Sequence, residues 1–550
     1  MSPSRSPSPS ERTLAQRASD AEGASGLVED SFPSPEEVKK NELKREFSRG
    51  ELERGERERE ELELANLKLE EEKKGHHEKE EQLFLVGWEG DDDPENPLNW
   101  SRPRRWAITM IGGLATLNVT FASSAPSSNT PSVMEYFGFS QEVAILLVSL
   151  FVAGYIGGPL IWGPGSELFG RRLCFLAAFI PYSLFALGAG LSKNTASILI
   201  FRFLGGVWGS CPLTVAGGLT ADIWDAKTRG VALSVFALAP FAGPALGPTV
   251  GGFIEVTGTS WRWTHYTIAI FGGAVSLMLF VFLPETYTPL ILARKAAKKR
   301  RETGDQRWWA PLDKKPKDIK HVLHNSFVRP FVLFSQEPML AVITFYMSFI
   351  YGVVYLLFEA YPYIFVRVYG FSAGINGLTF LTISIGGTIA NLADIFISGP
   401  RYRRKVEELA PKPVPPEQRL LPCIPAAAIL PIAMFWLAWS CFPSTSYWSC
   451  IVAGTIMGGC IFLIFLSLIN YIVDSYLMFA ATALAASTVV RSIAGAGFPL
   501  FATQMYDALN VHWATSLLAF VALAGAPIPL VLFKFGPKIR KMSKNAVDRD

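Results

Sequence analysis

Charged side chains inside long apolar runs are where this chain can do chemistry. Arg202 stands in Phe201-Arg202-Phe203-Leu204-Gly205-Gly206-Val207-Trp208-Gly209, and Arg491 stands midway along another run of similar length. An arginine held inside a bilayer costs at least ~2.5 kcal/mol on insertion scales, so each should face a bundle interior and find a partner there. Two readings stay open for both: a packing-locked ion pair, or handling of a substrate or proton. Glu359, in Phe358-Glu359-Ala360-Tyr361-Pro362, lies where a run ends, and there it can load protons from outside or snorkel to the interface. None of the six histidines is expected at mid-depth, which leaves carboxylates for proton coupling.

A second group of charges sits between runs. Gly163 to Arg172 reads Gly-Pro-Gly-Ser-Glu-Leu-Phe-Gly-Arg-Arg and predicts a short loop in which Glu167, Arg171 and Arg172 pair across helices as part of a gate. Asp222 ends a run within reach of Glu167 and Arg171, where it serves either the gate or interfacial capping. A looser echo, Gly387, Asp394, Gly399, Arg401, Arg403 and Arg404, suggests that the arrangement is duplicated later in the chain; Asp394 and Asp474 are expected as gate or interface charges. In Gly243-Pro244-Ala245-Leu246-Gly247-Pro248-Thr249-Val250-Gly251-Gly252, glycines strip one face and prolines remove backbone donors, which predicts close packing and a hinge.

The elements that must hold these residues are membrane helices. Half of the 550 residues are hydrophobic and only 18% charged, against about a quarter in soluble proteins. Apolar runs fall at 106–126, 143–162, 173–191, 197–220, 231–256 and 264–283, then at 339–361, 374–397, 421–442, 447–472, 478–501 and 513–534. Each is near the ~20 residues a span requires, so the chain is predicted to be an all-α polytopic membrane protein with twelve spans in two six-helix bundles. With the N-terminus in the cytosol, the inner loops and tail carry 28 lysines and arginines against three outside (Lys193, Arg262, Arg367). Both termini are therefore expected in the cytosol.

The expected domains are a charged cytosolic tail (1–84), a first bundle (85–290), a basic linker (291–335), a second bundle (336–535) and a cytosolic tail (536–550). The first tail opens with Ser-Pro repeats able to accept phosphates and continues into a run, Arg45 to Lys79, that is disordered or a solvated helix; no apolar leader is read in its first thirty residues. A net charge of +3 gives no argument for nucleic acid. The six cysteines show no metal spacing or disulfide framework, although Cys441 and Cys450 flank a short outer loop and could be oxidised. The sequon Asn118-Val-Thr120 falls inside the first span, out of reach of glycosylation.

These motifs resemble the major facilitator superfamily, in particular the twelve-span drug:proton antiporter group of fungi, over about residues 90–535. Gly163, Glu167, Gly170, Arg171 and Arg172 match the family's loop after the second span. Arg202 with Gly206 matches its fourth-span motif, and Gly243, Gly247, Pro248, Gly251 and Gly252 match its antiporter motif. Asn96-Pro97-Leu98-Asn99-Trp100, Trp261-Arg262-Trp263 and Pro284-Glu285-Thr286-Tyr287-Thr288-Pro289 are similar to the fungal subgroup.

The resemblance implies a monomer in the plasma membrane, a vacuolar or other internal membrane being the alternative. It implies export of a drug, toxin or secondary metabolite in exchange for protons, without cofactor or metal. Many relatives carry an acidic residue in the first span, where this chain offers only Asn118, Thr120, Ser123 and Ser124, so Glu359, Asp222 or Arg202 with a partner must couple protons. Phe121, Tyr155, Tyr346, Tyr351 and Tyr355 suit a bulky, weakly charged substrate or simply pack the core. Polyamine or organic-acid transport is the runner-up, and a transporter-like sensor or scaffold the reading from another class. The spans show no set of residues for an enzyme.

Overall fold

The computed structural model describes Glu36, Lys39, Lys40 and residues 83–225, 228–314, 319–410, 412–543 and 545–546. The expectations for the first tail, the helix at 45–79 included, lie outside the described residues, as do Lys227 and residues 547–550. The chain divides into Met1–Phe84 and Leu85–Asp550; the second unit carries the fold.

That unit is helical throughout its membrane part. Its long helices are α1 (Arg102–Ser124), α2 (Gln141–Leu168), α3 (Arg171–Gly190), α4 (Thr195–Ile223), α5 (Arg229–Val256) and α6 (Arg262–Phe282). The second series is α7 (Pro338–Tyr361), α8 (Ala373–Leu409), α9 (Cys423–Ser440), α10 (Tyr447–Tyr476), α11 (Ala480–Gly525) and α12 (Pro527–Met542). Among the described residues eleven helical stretches are long and apolar enough to cross a membrane, and the last, Ala480–Met542, has 63 residues. It breaks at Asn510, whose φ of 58° and ψ of 167° reverse the chain. The residues before Asn510 make the eleventh crossing; those after it, with α12, make the twelfth.

The outer surface is what a bilayer demands. On α6, Ile270, Leu277, Phe280 and Phe282 are all more than half exposed, a belt that would aggregate in water and is at home in lipid. α1 is the opposite case, with Ala115, Val119 and Ala122 sealed and the hydroxyls of Thr116 and Thr120 donating to carbonyls one turn back. All six cysteines are free and buried, with the Cys441 and Cys450 Sγ atoms 3.3 Å apart across the turn from α9 to α10.

The segment before α1 is a built turn. Asn96 caps Pro97–Asn99, Asn99 donates to the carbonyls of Asp91 and Asp93, and Trp100 donates to that of Pro94. Asp93, 6% exposed, accepts from Lys295 on the helix Thr288–Thr303 and from the backbone of Glu89 and Glu95. Lys295 lowers the Asp93 carboxyl to about 2, helped by those N–H groups. Burial works against the charged form of Lys295, but Asp93 and Glu95 more than offset it and raise its pKa.

The stabilisation from Asp93 is thus complete above its unfolded value near 4 and lost as pH falls towards 2. That from Lys295 is complete below ~10.4 and lost as pH rises beyond it. Spin labels at Leu98→Cys and Lys298→Cys should therefore report one short distance from pH 4 to 10. The distribution should broaden between pH 4 and 2, and Asp93→Asn should broaden it at neutral pH.

Candidate functional site

At the end of the bundle that carries α3's first residue, the expected loop is shorter than the sequence suggests. Helix α2 continues through Gly163 to Leu168, with Ser166 bonded to the Gly163 carbonyl and the Phe169 N–H to that of Gly165. The turn is made almost entirely by Gly170, at φ 92°. A Cβ there would also run into the Glu285 carboxylate and Leu290, so glycine is required twice over.

Arg171 donates from Nε to Asp222 Oδ2 at 3.0 Å, making an ion pair with side chains 12% and 19% exposed. It also bonds Ser166 Oγ and lies 4.9 Å from the centre of the Tyr287 ring. Glu285 Oε1 accepts from the backbone N–H groups of Arg171, Thr286 and Tyr287, capping the start of α3 where the helix dipole favours an anion. Glu167 does not join: it is exposed and has no ion pair among the described residues, because α2's extra turn carries it past Arg171. Arg172, also exposed, donates to the Phe280 carbonyl.

The second half repeats the pair with Asp474, expected as a gate or interface charge, but with an arginine other than those of the expected echo. Arg419, just before α9, donates to Asp474 near the end of α10 at 2.9 Å and stacks over Tyr402 at 3.8 Å. Arg171 and Asp222 stand at the corresponding places on α3 and α4. Arg401, Arg403 and Arg404 instead lie on the extension Gly399–Leu409, and Asp394 opens a π-helical turn.

The two intramembrane arginines have different surroundings. Arg202, 2% exposed, donates to the carbonyls of Leu147, Ala122 and Ser123 and lies 4.2 Å from the Phe151 ring centre. No carboxylate is needed; three charge-assisted bonds at about 1.5–3 kcal/mol each outweigh its insertion cost. Arg491 has one bond, from Nη2 to Thr488 Oγ1 at 3.4 Å, and ring faces at 5.0 Å (Tyr351) and 5.7 Å (Phe465). Its Nε is buried with no partner among the described residues. One long bond and two ring faces thus stand where Arg202 has three carbonyl acceptors, so Arg491 is the less fully hydrogen-bonded of the two.

Tyr351 OH and Tyr355 OH lie 3.5 Å apart on α7, and Tyr355 OH lies 3.2 Å from Ser123 Oγ on α1. A polar line thus runs from Arg491 in the second half to Arg202 in the first. Glu359, one turn beyond Tyr355, is partly buried, with no side-chain hydrogen bond or ion pair among the described residues. Beside Arg202 is a cavity of about 10 Å³, room for roughly one water, lined also by His265. His265 is 2% exposed with Nδ1 unpaired among the described residues, as are both amide atoms of Asn118. His265 stands in the first turn of α6, and an unpaired buried ring nitrogen leaves no signal in residue order.

The glycines of α5 form a seam with two sides. A Cβ at Gly243, Gly247 or Gly251 would collide with Thr120, Ser124 or the Ala125 carbonyl, at α1 and just beyond it. At Gly252 it would collide with the Ala373 carbonyl on α8, in the other half, and a Cβ at Gly377 with that of Pro248. Thr249 Oγ1 donates to Gly377 O, Ser384 Oγ to Phe241 O, and Asn391 Nδ2 to Ser234 O, so α5 and α8 are tied along most of their length.

The family model for the Major Facilitator Superfamily matches residues 112–499. The chain belongs to the major facilitator superfamily. It is 42% identical over 461 residues to "Efflux pump FUBT" of Fusarium oxysporum, covering 83% of this chain and 77% of that one. It is 40% identical over 461 residues to the "Ascochitine biosynthesis cluster MFS transporter" of Didymella fabae (84% and 89%). The "Major facilitator superfamily multidrug transporter mdrA" of Aspergillus fumigatus is 40% identical over 472 residues (86% and 77%). Among solved structures the proton:xylose symporter XylE superposes with a TM-score of 0.56 at 15% identity, covering 80% of this chain and 97% of that one. Human MFSD10 does so at 0.55 and 15% (78% and 100%). At these identities the likeness carries the fold alone. Within this facilitator fold, the paired arginine–aspartate clusters lie at corresponding turns of the two halves, and the polar line joins the halves.

Proposed function

We propose that this transporter exports a small organic compound, a drug, toxin or secondary metabolite, in exchange for protons, by rocking its two halves around the polar line that joins them. The observation that carries the reading is the α5 seam: backbone-close glycines against α1 on one side and α8 on the other allow one helix to close and open the path between halves. The relatives named as efflux pumps, as a multidrug transporter and as a biosynthetic-cluster transporter support the direction and substrate class. The proton gradient is the proposed energy source, the plasma membrane the proposed site and a monomer the working unit, with the clusters at Arg171 and Arg419 on the cytosolic side. Glu359 is the proposed proton carrier, since it is a partly buried carboxylate with no cation beside it among the described residues, one turn from the hydroxyl that joins the halves.

The test is accumulation of a panel of fluorescent and labelled compounds in cells lacking their own exporters, with and without a protonophore. Export that the protonophore abolishes, that Glu359→Gln removes and that Asp222→Asn slows at least tenfold is the expected result. Export insensitive to the gradient and to Glu359→Gln would overturn proton antiport, and higher accumulation with the chain present would overturn export itself.

A further inference from the structure

The incompletely hydrogen-bonded guanidinium of Arg491 bears on what is carried. We propose that Arg491 is the anion-recognising contact of the transported compound, so that the substrate is an organic acid whose carboxylate stands beside an apolar or aromatic body. The proposal rests on the transporter reading and narrows its substrate class.

Position is the first argument. Arg491 lies in the membrane-crossing leg of α11 that precedes Asn510, and one turn on, a Cβ at Gly495 would touch both Tyr351 of α7 and Val152 of α2. Arg491 is therefore close to the boundary between the halves, the place a rocking transporter exposes to each side in turn. Partnering is the second. Arg202 has its guanidinium occupied by three carbonyls of its own half, so it serves the scaffold. Arg491 has one long bond to Thr488, a buried Nε with no acceptor, and no carboxylate within ion-pair distance among the described residues. A guanidinium with free donors in such a place matches the fork of a carboxylate.

Surroundings are the third argument. The Tyr351 and Phe465 faces flank the guanidinium, and the Tyr351 and Tyr355 hydroxyls lie beyond it, so an aromatic ring can stack while its acid group meets Arg491. The same charge repels a polyamine, which removes that alternative from the runner-up reading and keeps the organic acid.

The experiment uses the full chain in lipid nanodiscs, with no proton gradient, and reads binding by tryptophan quenching. The probes are 2-naphthoate, indole-3-acetate and 4-phenylbutyrate, each against its neutral amide. The expected result is that at least one acid binds, and binds at least tenfold tighter than its amide. Arg491→Gln should weaken that acid roughly 10- to 100-fold, down to the level of the amide, and leave the amide unchanged. Arg491→Lys, which keeps the charge, should retain part of the preference, and both variants should melt within a few degrees of the parent without ligand.

Equal binding of acids and amides, parallel loss of both in Arg491→Gln, or no binding by any acid would overturn the proposal. So would millimolar chloride displacing the acid with no preference over the amide, which would assign Arg491 to an inorganic ion. Because no gradient is used, failure here leaves proton-driven export standing, and failure of gradient-driven export leaves the acid preference readable.

Discussion

Gly252→Val should abolish export while leaving the protein folded. The position faces across the boundary between halves, and a Cβ there would lie well inside contact distance of the Ala373 carbonyl and 3.1 Å from the Gly374 Cα, both at the start of α8. Neither neighbour is a flexible side-chain end that can swing away, so the seam must part to admit the new atoms. Overpacking of this kind costs about 1–3 kcal/mol, borne only by the state in which α5 and α8 are closed together. That state would fall roughly 5- to 150-fold in population, and a cycle that must pass through it stalls.

Two readouts separate this from simple damage. Thermal stability should change little, because the halves can sit apart. A cysteine introduced by Thr249→Cys, at the position whose hydroxyl now bonds the Gly377 carbonyl, should be labelled faster by a maleimide in the Gly252→Val background than in the parent. Gly252→Ala, with one methyl group, should fall between. Undiminished export by Gly252→Val would show that the seam never closes this tightly during the cycle.

Much of this was legible in residue order because the bilayer enforces it. Twelve apolar runs could be counted, and the Arg171–Asp222 pair could be anticipated, since adjacent spans joined by short turns must be neighbours. What residue order hid was tertiary. Glu285 was visible only as part of a motif; its place at the N-terminus of α3 depends on the end of α6 folding back beneath that helix. Glu167 was expected in the gate and is exposed, because one further helical turn in α2 rotates it outward. The echo in the second half was sought in the arginines nearest α8, but the extension Gly399–Leu409 carries those away and leaves Arg419 to meet Asp474. The reversal at Asn510 has neither glycine nor proline to announce it; asparagine is among the few other residues that accept positive φ. Arg491 was visible as a charge out of place, but its lack of a partner emerged only with neighbouring helices packed around it.

The second large effect is on stability, at a pair that residue order did not mark. Glu417, in the turn Pro416–Leu420, accepts from Arg540 Nε at 2.9 Å and Nη2 at 3.2 Å, and the two side chains are 4% and 1% exposed. Gly536 sits directly over Glu417, where a Cβ would lie 2.6 Å from Oε1, so α12 approaches the carboxylate as closely as backbone allows. Glu417→Ala would take away the carboxylate to which the buried Arg540 donates twice and should destabilise the second half by about 3–5 kcal/mol, the range for breaking a buried pair from one side. Urea or heat denaturation of detergent-purified protein would measure it.

The double variant Glu417→Gln with Arg540→Met should recover most of that loss, because a buried pair replaced on both sides no longer strands a charge. If Glu417→Ala alone shifted the midpoint no more than an exposed control such as Glu408→Ala, the pair would be solvated at the bundle's rim. The close approach at Gly536 would then be what fixes the end of α12.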